Sequence, residues 1–153
     1  MIILLVEVRF LRLVKSLCLN VLQKARRVIF FARYEASQLG SQHIDTEHLL
    51  LGLLSQDKGL FRRPYPSFDY EAVRSDIVAR AKPGSPKLPV TVDVPLNDDA
   101  KRVLTSAADE AESLGSKHIG TEHLLLGMMY DANLPSAKVL SRFGLDFELL
   151  KRR

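Results

Sequence analysis

The heptapeptide Thr46-Glu47-His48-Leu49-Leu50-Leu51-Gly52 returns letter for letter as Thr121-Glu122-His123-Leu124-Leu125-Leu126-Gly127, 75 residues later. At that offset residues 25–54 align with residues 100–129, and 18 of the 30 positions are identical. A self-match of this length marks a tandem duplication of one supersecondary unit. Each copy reads as a helix, a turn of the form Leu-Gly-Ser-x-His-Ile, and a second helix that opens at the threonine.

Helical periodicity is clear within both copies. Ala25, Val28, Ile29, Ala32, Ala36 and Leu39 recur at the spacing of a buried stripe, and Ala100, Val103, Leu104, Ala107, Ala111 and Leu114 repeat it. Gly40 and Gly115 follow the last residue of each stripe, where a left-handed cap comes most easily to a residue without a side chain. Thr46 and Thr121 are then expected as N-caps, with Glu47 and Glu122 in the first turn beside the positive end of the helix dipole. Leu49, Leu50, Leu53 and Leu54 drive burial of the second helix.

Beyond the second helix the copies diverge. The later one continues through an apolar helical stretch at 134–143, stops at Gly144 and ends in a short helix over 146–152. In the earlier one Pro64 and Pro66 force the third helix to be short or broken. Residues 69–81 are helical again, with Ala72, Val73, Ile77 and Val78 inward. Pro83, Pro86, Pro89 and Pro95 make 83–97 an extended linker. Within it, residues 90–94 alternate in the manner of a brief strand. The chain therefore divides into an apolar segment at 1–23, a first repeat at 24–82, the linker, and a second repeat at 98–153.

The segment before the first repeat differs from everything after it. Of residues 1–22, 16 are apolar, but Glu7, Arg9, Arg12 and Lys15 interrupt the run, so it does not read as a membrane-spanning helix. Nor does it have the basic start and small-residue cleavage site of a secretory signal. Its pattern admits an amphipathic helix, and the alternation over 6–10 also admits a short strand. Docking on the domain, on a partner or on a membrane surface all stay open. With Cys18 as the single cysteine, no internal disulfide forms, and a reducing cytoplasm is the expected location.

Chemistry is harder to place. The chain has neither a phosphate-binding Gly-x-x-x-x-Gly-Lys-Ser/Thr loop nor a Gly-x-Ser-x-Gly nucleophile elbow. His43 with His48, and His118 with His123, are spaced by five and straddle a helix start, which does not match a zinc pair on one helical face. They read as packed side chains with local hydrogen bonds. Glu47 and Glu122 lack a neighbouring nucleophile or second carboxylate, so no enzyme and no cofactor are expected. A carboxylate at a helix start can instead accept a guanidinium or amine from a ligand, while the helix N-terminus complements an anion. The net charge of +4 reflects 22 basic against 18 acidic residues. Without a nucleic-acid module this excess is weak support for polynucleotide binding, for which Arg26, Arg27, Arg33 and the Lys151-Arg152-Arg153 tail are the candidates.

Together, the doubled Gly/Asp-Thr-Glu-His-Leu-Leu-Leu-Gly pattern, the preceding Ala-Arg-Arg-Val-Ile-Phe-Phe-Ala and the Glu-Ala-x-x-Leu-Gly segments resemble the Clp amino-terminal domain, of the ClpA/ClpC-like kind, over about residues 24–150. The resemblance implies an all-α fold of two pseudo-symmetric four-helix repeats. It also implies a recognition module that binds substrates and adaptors for a Clp ATPase, which threads them into a protease or disaggregates them. In the ClpC-like branch the implied ligand is a phosphorylated arginine, its guanidinium meeting the motif Glu and its phosphate the nearby Thr and basic groups. By motif match those positions are Thr46, Glu47, Thr121 and Glu122. The ATPase modules of the family are not in this sequence, and the usual polar opening of the first helix is replaced by residues 1–22. Asp45 stands where the second repeat has Gly120, and its charge opposes a phosphate. That substitution and the prolines make the first repeat the poorer site.

Two functions follow as expectations. One is a non-catalytic substrate- or adaptor-binding module of a Clp-type system, with protein partners. The alternative is a regulatory or scaffold protein that docks on a Clp complex through its apolar amino-terminal segment.

Overall fold

The computed structural model describes residues 23–82, 85–89 and 91–152, and the expected helix or strand in the first 22 residues lies outside these. The described residues form eight helices: α1 (Gln23–Gln38), α2 (Thr46–Gln56), α3 (Lys58–Arg62), α4 (Tyr70–Arg80), α5 (Asp98–Ser113), α6 (Thr121–Met129), α7 (Pro135–Arg142) and α8 (Phe147–Lys151). The fold is all-α and consists of two repeats of four helices. A parallel β-bridge joins Ile44 and Leu96. Residues 91–94 form no strand: the pairing falls two residues later, where Ile44 donates to Pro95 O at 2.7 Å and Asn97 donates back to Ile44 O at 2.9 Å.

Each repeat is built on a helical hairpin. In the first, Ala25, Val28, Ala32 and Ala36 are buried on α1, and in the second Ala100, Val103, Ala107 and Ala111 are buried on α5. These short side chains let the partner helix come close. The helices come close at the motif glycine: a Cβ on Gly52 would stand 2.3 Å from Val28 O, and one on Gly127 would stand 2.5 Å from Val103 O. The final letter of the heptapeptide is thus a steric requirement of the hairpin. At the turn, Gly40 and Gly115 both adopt a φ of 67°, which closes the preceding helix with Ser41 N–H on Ala36 O and Ser116 N–H on Ala111 O.

The two hairpins share one core. Helices α2 and α6 pack against each other at its centre, and Leu49, Leu50, Leu51, Leu53, Leu124, Leu125 and Met128 are almost fully buried there. Burying a leucine side chain contributes about 2 kcal/mol, so these central helices anchor the whole arrangement. Helix α7 packs on both α2 and α6, and also meets α4.

The third and fourth helices show why the repeats diverge in sequence. Helix α3 has only five residues and ends before Pro64, whereas its counterpart α7 has eight. The proline turn that follows α3 carries Tyr65 to the second repeat, where its hydroxyl accepts the Asp146 N–H at 3.1 Å. Phe61 and Phe68, stacked at 4.9 Å, are buried beside this turn. No described helix is long and apolar enough to cross a membrane.

Candidate functional site

The four candidate residues lie at the starts of α2 and α6, and the threonines are not the caps. Asp45 is the N-cap of α2, its carboxylate accepting the N–H groups of Glu47 at 2.8 Å and His48 at 3.3 Å. Gly120 holds the equivalent place before α6 and has no side chain to offer. Thr46 and Thr121 are the first residues inside their helices, and their hydroxyls are turned into the protein. An inward hydroxyl at this position reaches a helix of the other repeat.

The threonines act as reciprocal struts. Fully buried Thr46 accepts the Ser136 N–H at 3.2 Å, capping α7, whose own N-cap residue Leu134 makes no side-chain bond. Thr121 donates to Asp57 Oδ2 at 2.7 Å, while the other carboxylate oxygen of Asp57 accepts the Leu60 N–H and caps α3. Each motif threonine therefore serves the start of the third helix in the opposite repeat.

The histidines are also alike. His48 Nδ1 accepts the Asp45 N–H at 3.1 Å and His123 Nδ1 accepts the Gly120 N–H at 2.9 Å. Both side chains are buried, and in His48 this burial, opposed by the nearby carboxylates of Asp45, Glu47 and Glu35, lowers the imidazole pKa below its ordinary 6.5. With Nδ1 taken by the backbone, these histidines work as the return half of a capping arrangement. His43 and His118 sit on the exposed turns beside them. Among the described residues no three His, Cys, Asp or Glu side chains converge on a metal position.

The glutamates break the symmetry. Glu47 is 17% exposed and accepts Arg80 Nη1 at 2.5 Å. Arg80 comes from the end of α4 and also donates to Asp76, whose Oδ2 accepts Arg142 Nη2 from α7 at 2.8 Å. Burial opposes the charge on Arg80, but the bond to Glu47 and the fields of Glu47 and Asp76 outweigh it and raise the guanidinium pKa. Glu122 is 55% exposed, and its carboxylate lies 3.6 Å from His123 Nδ1, which already accepts the Gly120 N–H. Its carboxylate folds back over Gly120, where a Cβ would lie 2.4 Å from it.

Each glutamate opens on a groove. The first, about 550 Å³, is bounded by Leu39, Asp45, Glu47, Ile77, Arg80 and Lys82. The second, about 890 Å³, is lined by Glu122, by the apolar Leu60, Leu125, Leu126 and Leu150, and by the cations Lys24, Lys58, Arg63 and Lys151, of which Lys24 lies 3.8 Å from Asp57 and Lys151 bonds Glu110. A groove with an apolar lining, one exposed carboxylate and several cations suits a peptide bearing both apolar and charged groups. The sequence singles out Lys151 only within a basic tail, and Arg80, Asp57, Lys24, Lys58 and Arg63 not at all, because they reach the motifs only through the fold.

Residues 20–143 match the family described as the Clp repeat (R) N-terminal domain. A ClpA homolog from Guillardia theta, an ATP-dependent Clp protease ATP-binding subunit, is 36% identical over 124 residues, covering 81% of this chain and 15% of the relative. The chloroplastic chaperone protein ClpC1 of Arabidopsis thaliana is 34% identical over 133 residues, covering 87% and 14% respectively. The chain thus spans about a seventh of the length of these curated relatives. Among solved structures, the N-terminal domain of the chaperone ClpD from Arabidopsis thaliana superposes with a TM-score of 0.68 at 25% identity, over 87% of this chain and 90% of that one. The N-terminal domain of the ClpV1 ATPase from E. coli gives 0.70 at 22% identity over 90% and 85%, a likeness of fold. On this sequence match and this shared architecture, the chain belongs to the Clp repeat N-terminal domain family.

Proposed function

We propose that this chain is a non-catalytic module that binds substrates or adaptors for a Clp-type ATP-dependent protease or chaperone, and that the groove at Glu122 is its working site. The observation that carries this reading is the exposed carboxylate of Glu122 in a largely apolar groove that Lys58 and Arg63 also line. A phosphorylated arginine on a peptide segment has the matching chemistry. Its guanidinium nitrogens face Glu122, its phosphate faces the uncapped start of α6 and the Lys58 and Arg63 charges, and neighbouring apolar side chains lie along Leu125 and Leu150. Thr121 contributes by fixing the helix start through Asp57. A reducing intracellular compartment belongs to the same proposal and rests on the lone Cys18.

Calorimetric titration with a phosphoarginine-containing peptide tests the reading. Glu122→Ala is expected to weaken binding at least tenfold, about 1.4 kcal/mol, without lowering the melting temperature. A folded protein that binds no such peptide would sink it.

A second reading, a scaffold that docks on a Clp complex, is favoured by the outer face of α1. Phe30 and Tyr34 are 65% and 43% exposed there, and the matching positions of α5 are Thr105 and Asp109. Loss of complex binding in Phe30→Ser/Tyr34→Ser, with peptide binding intact, would support the scaffold.

A further inference from the structure

The two motif glutamates carry the same letters and sit in equivalent places, yet one of them already holds a guanidinium. We infer that Arg80 is a built-in occupant of the first groove, a side chain of this chain that fills the position an arginine ligand would take and keeps the repeat-1 site closed to partners. The inference rests on the reading of the motif glutamates as ligand positions, and adds which of the two is available and what controls the other.

The geometry is specific. Arg80 Nη1 donates to Glu47 Oε1, while Nε and Nη2 both donate to Asp76 Oδ2 at 3.2 and 3.0 Å. Asp76 is in turn held by Arg142 of the other repeat. The guanidinium is therefore oriented by its own helix on one side and bonded to the motif carboxylate on the other. Ile77 and Leu39 line the same groove. A tethered group of this kind competes at an effective concentration of order millimolar or higher, so a free arginine side chain must displace it before reaching Glu47. Displacement need not release Arg80 altogether, because the bonds to Asp76 remain. Asp45 reinforces the closure, since its carboxylate already accepts the two N–H groups at the start of α2 that an anionic ligand would use. At Glu122, among the described residues, no guanidinium plays this part and no side chain caps the helix.

Site-resolved amide NMR separates the two grooves. The intact chain and its Arg80→Gln variant are titrated with N-acetyl-arginine amide, and the ligand-induced shifts at 46–48 and at 121–123 are followed in each. Signals at 46–48 are expected to stay still in the parent protein and to move in the variant, with apparent affinity there at least tenfold tighter, while those at 121–123 respond equally in both. Unchanged spectra of α5, α6 and α7 show that the variant folds, and Arg80→Met, which keeps the aliphatic stem, serves as a second variant. Equal response at 46–48 in parent and variant, or none in either variant, overturns the inference. Response at 46–48 in the variants with silence at 121–123 would uphold Arg80 as the occupant while removing Glu122 as the working site.

Discussion

The two repeats are a controlled comparison within one chain. Their hairpins agree down to the φ of the turn glycine and the close approach at Gly52 and Gly127, and their histidines and threonines make corresponding bonds. They part where the fourth helix meets the first two. In the first repeat Glu35 is bound by both nitrogens of the Arg74 fork at 2.8 and 3.1 Å, and Glu47 is bound by Arg80. In the second, Glu110 receives Lys151 on a single oxygen, its buried Oε2 has no partner among the described residues, and Glu122 faces a groove. Duplication preserved what each half needs to fold and to hold the other. The variation fell on groups that decide whether a groove is filled or open.

If the shared hairpin geometry is the invariant part, its disruption has the largest effect and is the same in both halves. Gly52→Ala and Gly127→Ala each place a Cβ against a backbone carbonyl, which cannot rotate away, and each is expected to cost about 3 kcal/mol in denaturant unfolding. Tolerance of alanine in one repeat alone would break the equivalence. The struts come next. Thr46→Val leaves the buried Ser136 N–H without an acceptor and should cost about 2 kcal/mol, whereas Thr121→Val leaves only Asp57, partly exposed with Lys24 3.8 Å away, and should cost about 1 kcal/mol. Equal losses would mean that the two struts are energetically alike despite their different partners.

The hairpins were legible in the sequence because alanine, leucine and glycine recurred at helical spacing, and the doubled pattern supplied its own alignment. The proline turns likewise told of a short α3. The N-caps lie one residue before the threonines that the sequence favours. Threonine is a good cap in isolation, and nothing local shows that Ser136, 90 positions away, needs an acceptor. Asp45 was visible only as a charge, although Asp before Thr-Glu-His is itself a capping signal. Glu35 and Glu110 were present as well, identical in the two copies and three residues after the inward Ala32 and Ala107, which marks a carboxylate on the buried face. Their partners were beyond reach. Arg74 and Arg80 are spaced like any exposed pair on a helix, and only the packing of α4 brings them to Glu35 and Glu47.

The helix starts sharpen the comparison further. Asp45→Ala should destabilise the protein by about 1 kcal/mol, since two N–H groups lose their acceptor, and it makes α2 begin as α6 does. Chemical denaturation measures the loss. The same substitution leaves the Glu47–Arg80 pair in place, so it should not by itself open the first groove to N-acetyl-arginine amide. If it does, the anion-accepting N–H groups rather than Arg80 are what keep that groove shut.

The smallest expected effect is a pH dependence from His48. Because burial lowers its pKa in the folded protein below the ordinary 6.5, the unfolded chain takes up a proton first as the medium acidifies. Stability from this group is therefore complete above 6.5, declines as pH falls from 6.5 toward the folded pKa, and levels off below it. The structural counterpart is the bond from the Asp45 N–H to Nδ1, which a protonated imidazole cannot accept. Unfolding free energies measured at intervals from pH 7.5 to 4.5 should show this decline in the parent chain. It should be reduced in His48→Gln, where an amide oxygen replaces the ring acceptor and nothing titrates. An undiminished slope in that variant would assign the pH dependence to other groups and leave the His48 bond as a purely geometric feature of the helix start.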